Sequence, residues 1–182
     1  MPEESGEHSG MKCERRFLLR QLPPGLAAGD EHLQLTDNYI TGTRLRLRKI
    51  RVPRTRERAW SLQQRFAPVA SDLSSVAIAS LELTQYEYEV FAVFEGNEIR
   101  KNRYTYEHDG RHYMIDVYLG DLRGLIIARA RFETGSEATN FVPPPFAILE
   151  VTNDEMFTDP TLVGLTSDDL RTDLANRPHL NQ

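Results

Sequence analysis

The sequence predicts an α+β chain that is mainly β: an antiparallel barrel with its polar strand faces turned inward and a few helices packed outside. Three observations carry this. The stretch Thr43-Arg44-Leu45-Arg46-Leu47-Arg48-Lys49 alternates arginine and leucine strictly, and only a strand, with its two-residue period, puts all the arginines on one face and the leucines on the other. The same one-sided basic pattern returns in Lys101-Asn102-Arg103 and in Arg129-Ala130-Arg131. Turn signals of glycine and proline separate these runs at hairpin spacing. A row of cations repels itself, so such faces are stable only against water, carboxylates or a polyanion.

Taken in order, residues 1–11 are polar and read as a disordered tail, residues 12–175 as one domain, and residues 176–182 as a C-terminal tail. Lys12 to Leu19 alternates as a first strand and is broken by Pro23-Pro24-Gly25. Leu33 to Ile40 reads as a second, leading through Gly42 into the arginine strand. Ala59 to Phe66 is the partner of that strand, with Arg65 on the face of Ser61 and Gln63. Val76 to Leu83 follows, then a helix started by Thr84 and Glu87 at capping-box spacing. Val90, Phe91 and Phe94 recur at helical spacing and are expected to face the core, with Gly96 closing the helix.

Ile99 to Glu107 and Arg111 to Leu119 form an expected hairpin around His108-Asp109-Gly110, the second strand carrying Asp116 among apolar and aromatic neighbours. Leu125 to Phe132 and Ala147 to Thr152, the latter containing Glu150, complete the strands. Ser167 to Ala175 reads as a short helix capped by Ser167, with Pro178 beyond it.

At 182 residues and 40% hydrophobic, the chain is long enough to bury roughly two-thirds of its unfolded surface without metals or disulfides. The one cysteine, Cys13, excludes an internal disulfide, and its strand context reads as packing. The histidines lack metal-ligand spacing. No run is apolar enough for a membrane helix or a signal peptide, so the expectation is a cytoplasmic protein without a membrane partner. A net charge of -5 argues against a nucleic-acid binder. The charge is nonetheless segregated: nine basic residues and the single acid Glu57 lie between Arg44 and Arg65, and seven acids and one base between Glu150 and Asp173.

The order of these segments resembles the CYTH family, the triphosphate tunnel metalloenzymes, which includes thiamine and inorganic triphosphatases and a class of adenylate cyclases. Lys12-Cys13-Glu14-Arg15-Arg16 stands in the place of the family's opening Glu-x-Glu-x-Lys strand. Arg44 to Arg48 is similar to its arginine strand, Leu62 to Arg65 to its lysine-bearing strand, Lys101-Asn102-Arg103 to its Lys-x-Arg strand, and Ile115 to Tyr118 and Glu150-Val151-Thr152 to later motifs. The resemblance implies a closed tunnel of eight antiparallel strands in which bases grip a triphosphate and carboxylates hold divalent cations.

Carried onto this chain, it implies phosphate binding by Arg16, Arg46, Arg48, Arg65, Lys101, Arg103, Arg129 and Arg131. The chain departs from the family where Lys12 replaces the first glutamate, and where Arg129-Ala130-Arg131 stands for a Glu-x-Glu metal strand. At most one Mg or Mn ion is then expected, on Glu14, Glu150 and Asp116, and Arg129 and Arg131 are expected instead to neutralise buried acids as ion pairs.

Three functions follow from these readings. The first is a tunnel that binds a triphosphate, polyphosphate or nucleotide with little or no metal, since arginine donates paired hydrogen bonds to phosphate and keeps its charge when buried. The second is an Mg- or Mn-dependent triphosphatase or, with less support, an adenylate cyclase; no base site is marked, and Tyr104, Tyr106, Tyr113 and Tyr118 read as packing. The third is a non-catalytic interaction domain whose tunnel is filled by its own ion pairs, with the Val52 to Arg58 hairpin available to an acidic partner.

Overall fold

A computed structural model describes residues 12–66 and 74–177 of the chain. The polar tail expected over residues 1–11, and Pro178 with the residues after it, lie outside the described residues. Among the described residues, nine strands form one antiparallel sheet: β1 (Lys12–Leu19), β2 (Leu33–Ile40), β3 (Leu45–Arg51), β4 (Arg58–Phe66), β5 (Ser75–Leu83), β6 (Gly96–His108), β7 (Arg111–Tyr118), β8 (Ile126–Phe132) and β9 (Ala147–Glu150). Their spatial order is β5-β4-β3-β2-β6-β7-β8-β1-β9.

The sheet departs from the expected closed ring of eight. One edge of β1 pairs with β8 from Cys13 to Leu18, and the other is divided: β9 takes Phe17 to Leu19, and β5 meets only Lys12 and Cys13, through Val76 and Ser75. A strand edge has one set of hydrogen-bonding groups, so the ninth strand uses positions that full-length closure by β5 would need.

The period-two pattern sets which side chains meet. In β1, Glu14 and Arg16 are buried on one face, with Arg15 and Phe17 on the other. Asp37 of β2 stands opposite Arg48 of β3, and Arg103 of β6 opposite Asp116 of β7. The concave face thus collects charged residues. At one end of it Leu18, Ile99, Tyr118 and Ile127, each two residues along a strand from a buried charge, form an apolar floor with Val151, Phe157, Leu162 and Leu170. The last three come from a 3-10 turn (Glu155–Phe157) and two helices, α3 (Asp159–Leu162) and α4 (Ser167–Ala175), which close that end. These two helices are numbered after α1 (Gln85–Phe91) and α2 (Gly135–Asn140), which lie outside the sheet. A second cluster, including Phe17, Tyr104, Tyr113, Ile115 and Phe132, packs on the opposite face beneath Ala138 of α2 and Phe141.

The capping box of Thr84 and Glu87 forms as expected. The helix it starts differs in its packing: α1 buries no residue, and Val90 and Phe94 remain 49% and 51% exposed. Seven residues make about two turns, too few to seat a full stripe, and Trp60 against Tyr88 is its aromatic contact with the sheet, at 6.4 Å. Gly96 does not cap α1 but opens β6, where a Cβ would lie 2.4 Å from the Tyr39 carbonyl oxygen. Only glycine permits that approach of β6 to β2. Helix α4 is capped by Thr166 in a box with Asp169, one residue before the expected Ser167. The Val52 to Arg58 turn is largely exposed, and Arg54 faces Glu31 at 3.5 Å.

Candidate functional site

Three aspartates organise the charged face, and each is held differently. Asp116 accepts from Arg103 through Nε at 2.7 Å and Nη2 at 3.0 Å, a bidentate pair that follows from their opposition in the β6–β7 ladder. Its Oδ2 also lies 3.0 Å from Lys101 Nζ and 3.3 Å from Arg129 Nε. Asp37 accepts from Arg48 through Nε at 2.7 Å and Nη2 at 2.8 Å, with Arg46 Nη1 at 3.4 Å.

Asp159, at the start of α3, takes its partners from four separate strands. Arg129 Nη2 lies 3.2 Å and the Tyr118 hydroxyl 3.1 Å from Oδ1, while Arg46 Nη1 is 3.4 Å and Lys101 Nζ 3.6 Å from Oδ2. Glu14 faces Arg129 Nη1 at 3.7 Å. Arg46 is steadied from the side by Gln63, whose Oε1 accepts from Nε at 3.0 Å and Nη2 at 2.6 Å. Arg16 donates to the backbone carbonyls of Phe157, at 2.8 Å, and Thr152.

The electrostatics follow from burial and this pairing. Burial alone would raise the Asp37 carboxyl, but Arg46 and Arg48 outweigh it and hold Asp37 well below the ordinary range. Asp116 likewise overcomes burial through Arg103, Lys101 and Arg129. Burial lowers Lys101 to about 8, and Asp116 and Asp159 offset only part of that. Burial, with Asp159 beside it, raises the Tyr118 phenol well above its ordinary value. Among the described residues, six buried cations (Arg16, Arg46, Arg48, Lys101, Arg103 and Arg129) face four buried carboxylates (Glu14, Asp37, Asp116 and Asp159).

The structure therefore brings six of the eight expected basic residues together. Arg131 stands opposite Glu14 in the β1–β8 ladder and is half-buried. Arg65 is placed on β4 opposite Ile78, and its side chain lies outside what the structure describes. Of the three expected carboxylates, Glu14 and Asp116 are in the cluster and Glu150 is not: it accepts from Arg15 Nε at 2.8 Å, on the side of β1 away from Glu14 and Arg16. Asp37, Asp159, Gln63 and the Tyr118 hydroxyl were not among the expected site residues. Asp37 had a signal, because a hairpin through Gly42 places it across from the arginine strand; Asp159 had none beyond a helix start at Thr158-Asp159-Pro160.

This ordered set of strands can be compared with known proteins. No protein-family model matches the chain. An inorganic triphosphatase of Nitrosomonas europaea is 31% identical over 83 residues, which is 45% of this chain and 54% of that one. The match thus spans about half the length of that relative. A solved structure of an inorganic triphosphatase superposes with a TM-score of 0.57 at 24% identity, over 86% of this chain and 97% of the other. A second structure, of the same protein described as hypothetical, gives 0.58 at 22%, over 85% and 99%. The chain shares the fold of that triphosphatase.

The metal centre that the resemblance implies can be tested on these donors. A magnesium ion needs carboxylate oxygens free to face it. In this chain Asp37 and Asp116 are bidentate with guanidinium groups, and Asp159 meets two guanidinium groups and an ammonium. Among the described residues no group of three or more His, Cys, Asp or Glu side chains is arranged to hold a metal ion. Glu150 is directed elsewhere, toward Arg15. The donor set does not fit a resident divalent cation. No helix among the described residues is long and apolar enough to cross a membrane.

Proposed function

We propose that this cluster is a binding site for a triphosphate or longer polyphosphate anion, held by guanidinium and ammonium groups without a resident metal. The observation that carries the reading is the convergence of Arg46, Lys101 and Arg129, from β3, β6 and β8, on the two oxygens of one carboxylate. Groups gathered around one oxyanion present the donor geometry that another oxyanion requires. The excess of buried cations over buried carboxylates leaves the site electropositive within an acidic chain. The likeness to an inorganic triphosphatase supports a condensed phosphate over a nucleotide, and the buried phenols of Tyr104 and Tyr118 are engaged with Ala28 and Asp159.

The test is a thermal-shift series with tripolyphosphate in EDTA, then in magnesium or manganese, with phosphate release measured in parallel. Ligand at a hundred times its Kd adds about 2.7 kcal/mol, or roughly 5–10 °C for a domain of this size. Stabilisation in EDTA is the expected result. Stabilisation and phosphate release that both require metal would replace this reading by a metal-dependent triphosphatase. No shift under any condition would leave a fold held by its own ion pairs.

A further inference from the structure

Asp159 differs from the other buried acids in how it is carried. Glu14, Asp37 and Asp116 lie within strands, the two aspartates with ladders on both sides, whereas Asp159 sits at the first position of a four-residue helix. Its contacts with cations are also looser than those of Asp37 and Asp116. The bidentate pairs of Asp37 and Asp116 are 2.7–3.0 Å long, but Asp159 meets Arg129, Arg46 and Lys101 at 3.2, 3.4 and 3.6 Å. Charge-assisted bonds of full strength are shorter than these. Two of the three aspartates are therefore built into the wall, and the third rests against it.

The chain around Asp159 adds to the same contact. The carbonyl oxygens of Thr152 and Phe157, from the segment leading into α3, accept from Arg16. One C-terminal arm thus offers oxygen atoms to four cations of the cluster, as a multiply charged anion would. The arm is seated from outside by Arg177, which stacks 5.3 Å over the Phe157 ring and pairs with Asp154 of the arm and Asp173 of α4.

We propose that this arm is an internal competitor: the Asp159 carboxylate occupies the innermost anion subsite, and a polyphosphate binds there by displacing it. The inference rests on the anion-site reading and adds the step that controls access to it. A site held by its own chain for nine-tenths of the time binds its ligand about tenfold more weakly than the same site left open.

Isothermal titration with tripolyphosphate in EDTA tests this on three proteins. Asp159→Asn removes the competing charge and is expected to bind about tenfold more tightly than the unaltered chain, while melting lower without ligand. Arg177→Ala keeps Asp159 but loosens its seat, and it too is expected to bind more tightly. That second variant removes a positive charge, so simple electrostatics predicts weaker binding. It also provides the reading if Asp159→Asn fails to fold. Binding by the unaltered chain that is equal or weaker in Arg177→Ala overturns displacement and leaves the anion site standing. No binding by any of the three overturns the anion site itself.

Discussion

Arg129 reaches from β8 to Asp159 at 3.2 Å through Nη2, while its Nε lies 3.3 Å from Asp116. A basic residue of β8 is thereby the bridge between two buried carboxylates. Burial opposes its charge, but Asp159 and Asp116 raise the guanidinium well above its ordinary value.

Removing that bridge strands its partners. Arg129→Ala is expected to cost about 3–5 kcal/mol, the usual penalty for leaving a buried charge without its counter-ion. Urea denaturation with an unchanged m-value measures it; a loss under 1 kcal/mol would show that Lys101, Arg103 and Arg46 already neutralise the two aspartates.

Arg46 contacts Asp159, Asp37 and Gln63 together. Replacing it with glutamine removes a cation from the proposed phosphate site without emptying its volume. Tripolyphosphate stabilisation in EDTA is expected to fall at least about tenfold in apparent affinity, as for loss of one charge-assisted contact. The same substitution at exposed Arg54 serves as the control and should leave binding as it was.

Glu150 offers the opposite case. Its carboxyl is held low by the hydrogen bond from Arg15, with a second from Thr152, on a partly exposed outer face. Glu150→Gln is expected to cost no more than about 1 kcal/mol, because solvent screens the pair, and to leave any response to magnesium or manganese unaltered. A lost metal response would restore Glu150 as a ligand.

Lys101 predicts opposed pH slopes for folding and binding. The unfolded chain keeps this proton up to the ordinary lysine value of 10.5, whereas burial lowers it to about 8 in the fold. Between those limits the unfolded state binds more protons, so this group makes stability rise with pH. Tripolyphosphate affinity is expected to fall over the same interval as the ammonium loses its charge. On the acid side Asp37 and Asp116, with depressed native values, contribute stability that is complete above the ordinary aspartate range and is lost as pH falls below it. Denaturation and titration calorimetry across the alkaline interval check the pair of slopes.

The sequence by itself determined the strands and their faces. Alternation placed Arg46 and Arg48, Lys101 and Arg103, and Glu14 and Arg16 each on one side of a strand, because a two-residue period leaves no other arrangement. The capping box at Thr84 was equally local, and so was legible. What required the tertiary structure was every relation between distant segments. Val90 and Phe94 have a helical spacing but no surface to cover them. Glu150 follows its strand in the expected order, yet pairing of β9 with β1 turns it toward Arg15.

Asp159 shows the difference most clearly: nothing in Thr158-Asp159-Pro160 names a partner, and its three cations lie 30, 58 and 113 positions away in the chain. Coulomb attraction depends on distance through space and on the low dielectric of a buried cluster, neither of which is written in sequence order. Only the return of the C-terminal arm onto the open end of the sheet decided that this acid, and not Glu150, would face the arginines.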